Sequence, residues 1–184
     1  LAMEWLEGLD LRQRLRLRAL DLSETVALGR RLATTLESIH AQGLVHRDMK
    51  PSNIFLVDGR AEEAVLIDFG VVLRDAGHAA DTKSGFLVGT PAYMAPEQVR
   101  GQAKVDGRAD LFGLGCILYA CLAATPPFTG ASHVAVLTKI LLEQPVPIEE
   151  VRFDVPPALA SLISQLLAKE PDDRPPNARA VFDA

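Results

Sequence analysis

The residues of this chain that could do chemistry lie in the stretch HRDMKPSN at positions 46–53 and, further along, at Asp68. Asn53 and Asp68 offer hard oxygen donors with few soft ligands nearby, a combination that suits Mg²⁺ better than Zn²⁺. Lys50 supplies a positive charge for a phosphate oxygen, and Asp48 remains as a carboxylate that can accept a proton. These groups are what phosphoryl transfer needs, because that reaction depends on positioning and charge neutralisation.

Two short runs of β-type residues are expected to bring these side chains together. Ile54 to Val57 directly follows the first stretch, and Ala64 to Ile67 directly precedes Asp68. Asp58–Gly59 is a turn signal after the first run. Two adjacent strands would therefore gather the aspartates, the lysine and the asparagine around one point.

Helical patterns surround this centre. Asp21 with Glu24 resembles a capping box, apolar residues then recur at helical spacing, and Gly43 suits a C-terminal stop. Further helices are predicted over Arg108–Ala123, Ser132–Leu142 and Pro157–Ala168, with another starting near Asn177. The predicted fold class is mainly α with a few short β-strands.

A basic segment precedes the first long helix. Four arginines lie among leucines between Leu11 and Leu20; they are Arg12, Arg14, Arg16 and Arg18. A solvated basic face on a short helix is the simpler interpretation. A docking surface for acidic partners is the alternative.

Composition excludes several classes of function. The 184 residues are 48% hydrophobic and 23% charged, which fits one domain with a substantial core. The net charge of −5 and the lack of a basic run argue against nucleic-acid binding. The longest apolar stretch, Leu111 to Ala124, is shorter than the ~20 residues that span a bilayer, so a buried core helix and a cytoplasmic location are expected. Cys116 and Cys121 are expected to be buried thiols in a reducing compartment.

Four stretches occur in order along the chain: HRDMKPSN (46–53), DFG (68–70), GTPAYMAPE (89–97) and DLFGLG (110–115). They resemble the catalytic loop, the metal loop, the A-P-E segment and a buried helix start of the protein-kinase superfamily. Lys50–Pro51 resembles serine/threonine kinases, and the arginine and alanine usage resembles bacterial, Hanks-type members. The resemblance implies a kinase-like C-terminal lobe of α+β class that uses ATP and Mg²⁺ to phosphorylate Ser or Thr of protein substrates.

The resemblance also implies roles for the central residues. Asp48 matches the catalytic base that accepts the proton of the substrate hydroxyl, and Lys50 matches the lysine that meets the γ-phosphate. Asn53 and Asp68 match the two Mg²⁺ ligands. Thr90 stands where a threonine commonly contacts that lysine and base.

Other matched residues support the site. His46 and Phe69 match residues packed in the spine beneath it, and Gly70 completes the D-F-G triplet. Asp110 matches the helix residue that anchors the catalytic-loop backbone.

Two further features of the family are implied. Glu97 and Arg174 resemble a buried structural ion pair, whose loss would destabilise the lobe. Arg47 matches an arginine that pairs with a phosphate on the activation loop, and Thr82 and Ser84 are the candidate phosphosites. A plain solvated loop is the alternative for both hydroxyl residues.

The first ten residues resemble the hinge between the two lobes of a kinase. By analogy the backbone at Glu4 and Leu6 would meet adenine, Asp10 would reach the ribose, and Phe55 would form the floor under the base. The implied layout is hinge 1–10, catalytic loop 46–53, activation segment 68–97 and helical subdomain 98–184.

The sequence contains no G-x-G-x-x-G before the hinge, and it lacks the strand lysine and helix glutamate that complete a kinase ATP site. The N-terminal lobe is therefore the predicted missing partner, and the 184-residue chain alone is expected to show little activity. A pseudokinase is an alternative, disfavoured by the complete catalytic set. A small-molecule phosphotransferase is another, disfavoured by the peptide-positioning segment 89–97. Residues upstream of Leu1 would discriminate among these interpretations.

Overall fold

The computed structural model describes residues 6–68 and 91–184. Within these ranges the strands are β1 (Gly8–Asp10), β2 (Ile54–Val57) and β3 (Ala64–Leu66). The α-helices of the same ranges are α1 (Leu11–Leu17), α2 (Leu22–His40), α3 (Pro96–Val99), α4 (Arg108–Ala123), α5 (His133–Leu142), α6 (Ile148–Val151), α7 (Pro157–Leu166) and α8 (Ala178–Asp183). The predicted fold class, mainly α with a few short β-strands, is confirmed.

The three strands form one antiparallel sheet in the order β1–β2–β3. The predicted turn after β2 is confirmed, because Asp58 and Gly59 both have positive φ, 52° and 73°. β2 begins directly after Asn53, and β3 ends two residues before Asp68. The sheet therefore brings these two residues to the same edge.

Helix α2 forms as its sequence predicts. The Glu24 N–H donates to Asp21 Oδ1 at 2.7 Å, and the Asp21 N–H donates to Glu24 Oε2 at 2.9 Å, which completes the capping box. The chain leaves the helix through Gly43, whose φ is 72°. The fully buried leucines of α2 lie at helical spacing and face the core; they are Leu28, Leu32 and Leu36.

Helix α4 is the central element of the core, because residues 109–122 are all buried. Two glycines let other elements approach it closely. A Cβ on Gly113 would lie 2.5 Å from Met49 Cβ, and one on Gly115 would lie 2.7 Å from Leu166 Cβ. Helix α4 therefore packs directly against the 46–53 loop on one side and against α7 on another.

The apolar segment that includes α4 behaves as a core helix. Cys116 and Cys121 are buried free thiols within it, and burial raises the pKa of both. Among the described residues, no helix combines the length and apolar character that crossing a membrane requires.

The solvated-face interpretation of the basic segment is wrong for Arg14. This side chain is buried, at 8% exposure, and its guanidinium lies 2.9 Å from Glu24. The physical reason is the helical period, which places residue 14 on the same face as Leu11 and Leu15, and that face packs on the core. The helix predicted over Pro157–Ala168 is two residues shorter in the structure, since α7 ends at Leu166.

Candidate active site

The loop of residues 46–53 is held by one buried carboxylate. Asp110, in the first turn of α4, is 1% exposed. Its Oδ2 accepts a hydrogen bond from the His46 N–H at 2.9 Å, and its Oδ1 accepts one from the Arg47 N–H at 2.8 Å. Arg47 has φ 64°, a left-handed conformation that costs a non-glycine residue about 1–2 kcal/mol. The two hydrogen bonds to the Asp110 carboxylate therefore stabilise the unfavourable backbone conformation at Arg47.

Two side chains that the sequence analysis missed complete this support. His40 Nε2 lies 2.8 Å from Asp110 Oδ2, and the Gln98 amide donates to the Arg47 carbonyl at 2.8 Å. The His40 ring fills the space above Gly107, where a Cβ would lie 2.6 Å from Nδ1. His40 and Asp110 are 70 residues apart, so no local pattern could have paired them.

Asp48, Lys50 and Asn53 form one hydrogen-bonded cluster. The Lys50 ammonium donates to Asp48 Oδ2 at 2.6 Å, and the Asn53 amide donates to the same oxygen at 2.9 Å. The Asn53 amide also donates to the Asp48 carbonyl at 2.9 Å. Both side-chain donors meet Oδ2, and within residues 6–68 and 91–184 no donor contacts Oδ1. The Asp48 side chain is 42% exposed, so the carboxylate lies at the surface of the cluster.

The backbone brings Asp68 next to this cluster. The Ile67 N–H donates to the Asn53 carbonyl at 2.8 Å, and Asp68 follows with φ 51° and an exposed side chain. Asp48 engages the Asn53 amide nitrogen, and Asn53 Oδ1 accepts a long hydrogen bond of 3.5 Å from the Ser52 hydroxyl. This oxygen is therefore the Asn53 atom that could bind a cation. Together with the Asp68 carboxylate it makes an all-oxygen donor set, which fits Mg²⁺.

His46 lies beneath the cluster and is 0% exposed. Burial lowers its pKa, although the Asp110 carboxylate and a hydrogen bond with the Ile67 backbone act in the opposite direction. The ring Nδ1 accepts a hydrogen bond from the Asp48 N–H at 3.3 Å, which only a neutral imidazole can do. A neutral His46 therefore links the support around Asp110 to the backbone of Asp48.

Two of the predicted nucleotide contacts, Asp10 and Phe55, lie in β1 and β2. Asp10 pairs with Phe55 in the sheet, two residues beyond Asn53. The Asp10 carboxylate also caps α1, since Oδ1 accepts from the Gln13 N–H at 2.7 Å. Leu6 is half-buried at the start of the described residues.

A second polar cluster joins α3 to the segment after α7. Glu97 and Arg174 form a bidentate salt bridge at 2.7 and 2.8 Å, with side chains 3% and 0% exposed. The other Arg174 donors bind backbone carbonyls at 2.8–3.1 Å, those of Arg108, Ala168 and Lys169. All five guanidinium N–H groups therefore have acceptors.

Of the remaining predicted site residues, one is described by the structure and the others are not. Arg47 is exposed, and its guanidinium donates to the Val105 carbonyl at 3.5 Å. Those that lie outside the described residues are Glu4, Phe69, Gly70, Thr82, Ser84 and Thr90.

Comparison with protein families gives one match over nearly the whole chain. The family model described as "Protein kinase domain" matches residues 1–183. Among solved structures, "Crystal structure of Rad53 1-466 in complex with AMP-PNP" is similar with a TM-score of 0.80 and 25% identity, over 98% of this chain and 44% of that one.

Several curated relatives are bacterial proteins. Serine/threonine-protein kinase Pkn1 of Myxococcus xanthus is 43% identical over 81% of this chain and 22% of its own length. Serine/threonine-protein kinase pkn3 of the same organism is 39% identical over 98% and 34%, and PknB of Mycolicibacterium smegmatis is 42% identical over 73% and 21%. The chain thus spans at most 34% of the length of these relatives.

Proposed function

This chain belongs to the protein kinase domain family, and from that membership we propose that the full-length protein is a bacterial serine/threonine protein kinase. It would transfer the γ-phosphoryl group of ATP to Ser and Thr hydroxyls of protein substrates. In this proposal the chain forms the C-terminal lobe, with the hinge at residues 1–10, the catalytic loop at 46–53, the activation segment at 68–97 and the helical subdomain at 98–184. An N-terminal lobe would cover the nucleotide.

The geometry of Asp48 is the observation that supports this proposal most directly. Lys50 and Asn53 hold Oδ2, which fixes the orientation of the carboxylate and leaves Oδ1 as the oxygen that would meet the substrate. The proton of the substrate hydroxyl would pass to this oxygen while the hydroxyl oxygen takes the phosphoryl group and ADP leaves. Lys50 would remain next to the transferring phosphate, where its charge offsets that of the phosphate oxygens.

Asn53 and Asp68 would hold Mg²⁺, because the two residues lie at one edge of the sheet and the Asn53 amide nitrogen is already engaged. Mg²⁺, when bound, would neutralise charge on the nucleotide phosphates. Phe55 would lie under the adenine and Asp10 would reach the ribose, since the two residues are paired in the sheet. Backbone groups at Glu4 and Leu6 would meet the adenine edge.

Two regulatory and cellular features complete the proposal. The exposed Arg47 would pair with a phosphate on Thr82 or Ser84 and so order the activation segment. The cytoplasm would supply ATP and keep Cys116 and Cys121 reduced.

The test is a kinase assay on the full-length gene product with an Asp48→Asn variant. This exchange keeps the size of the side chain and removes the base, so kcat should fall about 10²–10⁴-fold. ATP binding, measured by calorimetry, should persist, because the proposed metal ligands are intact. Asp58→Asn is the matched control, since Asp58 is an exposed turn residue and should leave kcat unchanged. Equal rates for Asp48→Asn and the wild type would refute the assignment of the base.

A further inference from the structure

The four arginines between positions 12 and 18 divide into two pairs. Arg14 donates to Glu24 at 2.9 Å and to the Arg18 carbonyl at 3.2 Å, and the Arg18 guanidinium lies 3.6 Å from the same Glu24. Arg12 and Arg16 are both exposed and lie four residues apart on a different face of α1. Arg14 therefore stabilises the fold, and Arg18 lies beside the same carboxylate with 62% of its side chain exposed. Arg12 and Arg16 face outward from the other side of α1.

Arg12 and Arg16 line one open groove. The other walls come from α1, the 46–53 loop, the segment before α3 and the end of α4; they include Leu15, Pro51, Tyr93 and Pro126. The groove has a volume of about 190 Å³, below the roughly 300–1,000 Å³ of small-molecule pockets. It therefore suits side chains of a bound polypeptide better than a separate small ligand.

The groove adjoins the proposed catalytic centre. Pro51 directly follows Lys50 and lies three positions after Asp48. Tyr93 belongs to the segment GTPAYMAPE, which the sequence analysis identified as peptide-positioning. An extended peptide advances about 3.3–3.6 Å per residue, so a substrate with its hydroxyl at Asp48 would place residues a few positions away in this groove.

The charge of the groove is positive. The described residues that line it include no acidic side chain. Asp10 Oδ2 lies 3.9 Å from Arg12, whose side chain is still 58% exposed. In the described ranges no carboxylate pairs with Arg16. Two exposed guanidinium groups thus line the groove.

We propose that Arg12 and Arg16 form a specificity site that selects protein substrates with aspartate or glutamate close to the phosphorylated Ser or Thr. This inference rests on the proposed kinase function. Guanidinium groups suit the task because their planar donors match the geometry of a carboxylate. The site chooses among substrates and takes no part in the transfer itself.

The test compares two peptides that differ only by Glu→Gln exchanges at positions flanking the acceptor Ser, with the full-length gene product as the enzyme. An exposed ion pair changes affinity by about two- to fivefold, so two pairs should give the acidic peptide a kcat/KM about tenfold above that of the neutral one. The R12Q/R16Q variant should lose this preference and retain the wild-type rate on the neutral peptide. The R12E/R16E variant should prefer a third peptide with Lys at the same positions.

The matched control is R60E/R179E, because Arg60 and Arg179 are also exposed, at 54% and 59% of their side chains, and neither lines the groove. This control should keep the acidic preference. Equal wild-type rates on the acidic and neutral peptides would overturn the specificity site alone, as would an equal loss on both peptides in R12Q/R16Q. No transfer to any peptide by the wild type would overturn the kinase function and the inference with it.

Discussion

Asp110 in the first turn of α4 and Glu97 in α3 are both buried carboxylates, at 1% and 2% exposure, yet their partners differ in kind. Asp110 binds two backbone N–H groups and the ring of His40. Glu97 binds the guanidinium of Arg174, so its charge meets a full opposite charge. The first carboxylate positions a loop of the proposed active site, whereas the second joins two parts of the helical frame.

The two carboxylates therefore have different expected roles, in positioning the 46–53 loop and in stabilising the helical frame. The loop held by Asp110 includes a residue with positive φ, Arg47, and leads directly to Asp48. The pair of Glu97 and Arg174 is linked to that loop through Gln98, the neighbour of Glu97, which binds the Arg47 carbonyl. It is also linked to the start of α4, because Arg174 donates to the Arg108 carbonyl. We therefore expect changes around Asp110 to alter catalysis and changes at the ion pair to alter mainly the free energy of unfolding.

The largest effect on stability is expected for Arg174→Met. The exchange leaves Glu97 buried without its counter-charge and should lower the free energy of unfolding by about 3–5 kcal/mol. Chemical denaturation followed by circular dichroism measures this loss. Arg100→Met is the control, because Arg100 pairs with Glu170 at the surface and should cost no more than about 1 kcal/mol. Similar losses in the two variants would contradict the structural role of the buried pair.

Asp110→Asn should lower the free energy of unfolding less than Arg174→Met does, and it should lower kcat more. The asparagine amide would present a donor to a backbone N–H, which removes a charged hydrogen bond and costs about 1.5–3 kcal/mol. A displacement of the 46–53 loop by about 1 Å would reduce kcat roughly 100-fold. The measurement is kcat per folded molecule, with Glu97→Gln as the matched carboxylate-to-amide exchange. If Glu97→Gln lowers kcat per folded molecule as much as Asp110→Asn, the separation of the two roles is wrong.

The sequence predicted the elements with strong local signals. The capping box of Asp21 and Glu24, the strand Ile54–Val57 and the helix Arg108–Ala123 all follow from patterns within a few residues of each other. The contact between His40 and Asp110 could not be predicted in this way, because it depends on how the end of α2 packs against the start of α4 near Gly107. The burial of Arg14 could not be predicted either. An arginine among leucines is expected to be solvated, and only the ion pair with Glu24, ten positions away, makes its burial favourable.

The pH dependence of stability should distinguish the two clusters, and it is the smallest effect. His46 belongs to the support around Asp110, whereas the described contacts of Glu97 and Arg174 include no histidine. Burial lowers the pKa of His46 below its ordinary value of 6.5. As pH falls through that value, the unfolded chain takes up a proton that the folded protein does not, so stability decreases.

His46→Gln should therefore flatten the decline of unfolding free energy between about pH 6.5 and 5, because glutamine does not titrate there. His133→Gln is the matched control, since His133 is exposed on α5 and its exchange should leave the slope unchanged. The measurement is a series of denaturant titrations across this pH range. An unchanged slope in His46→Gln would show that burial beside Asp110 does not prevent protonation of His46. The difference between the Asp110 and Glu97 clusters would then be supported only by their effects on kcat.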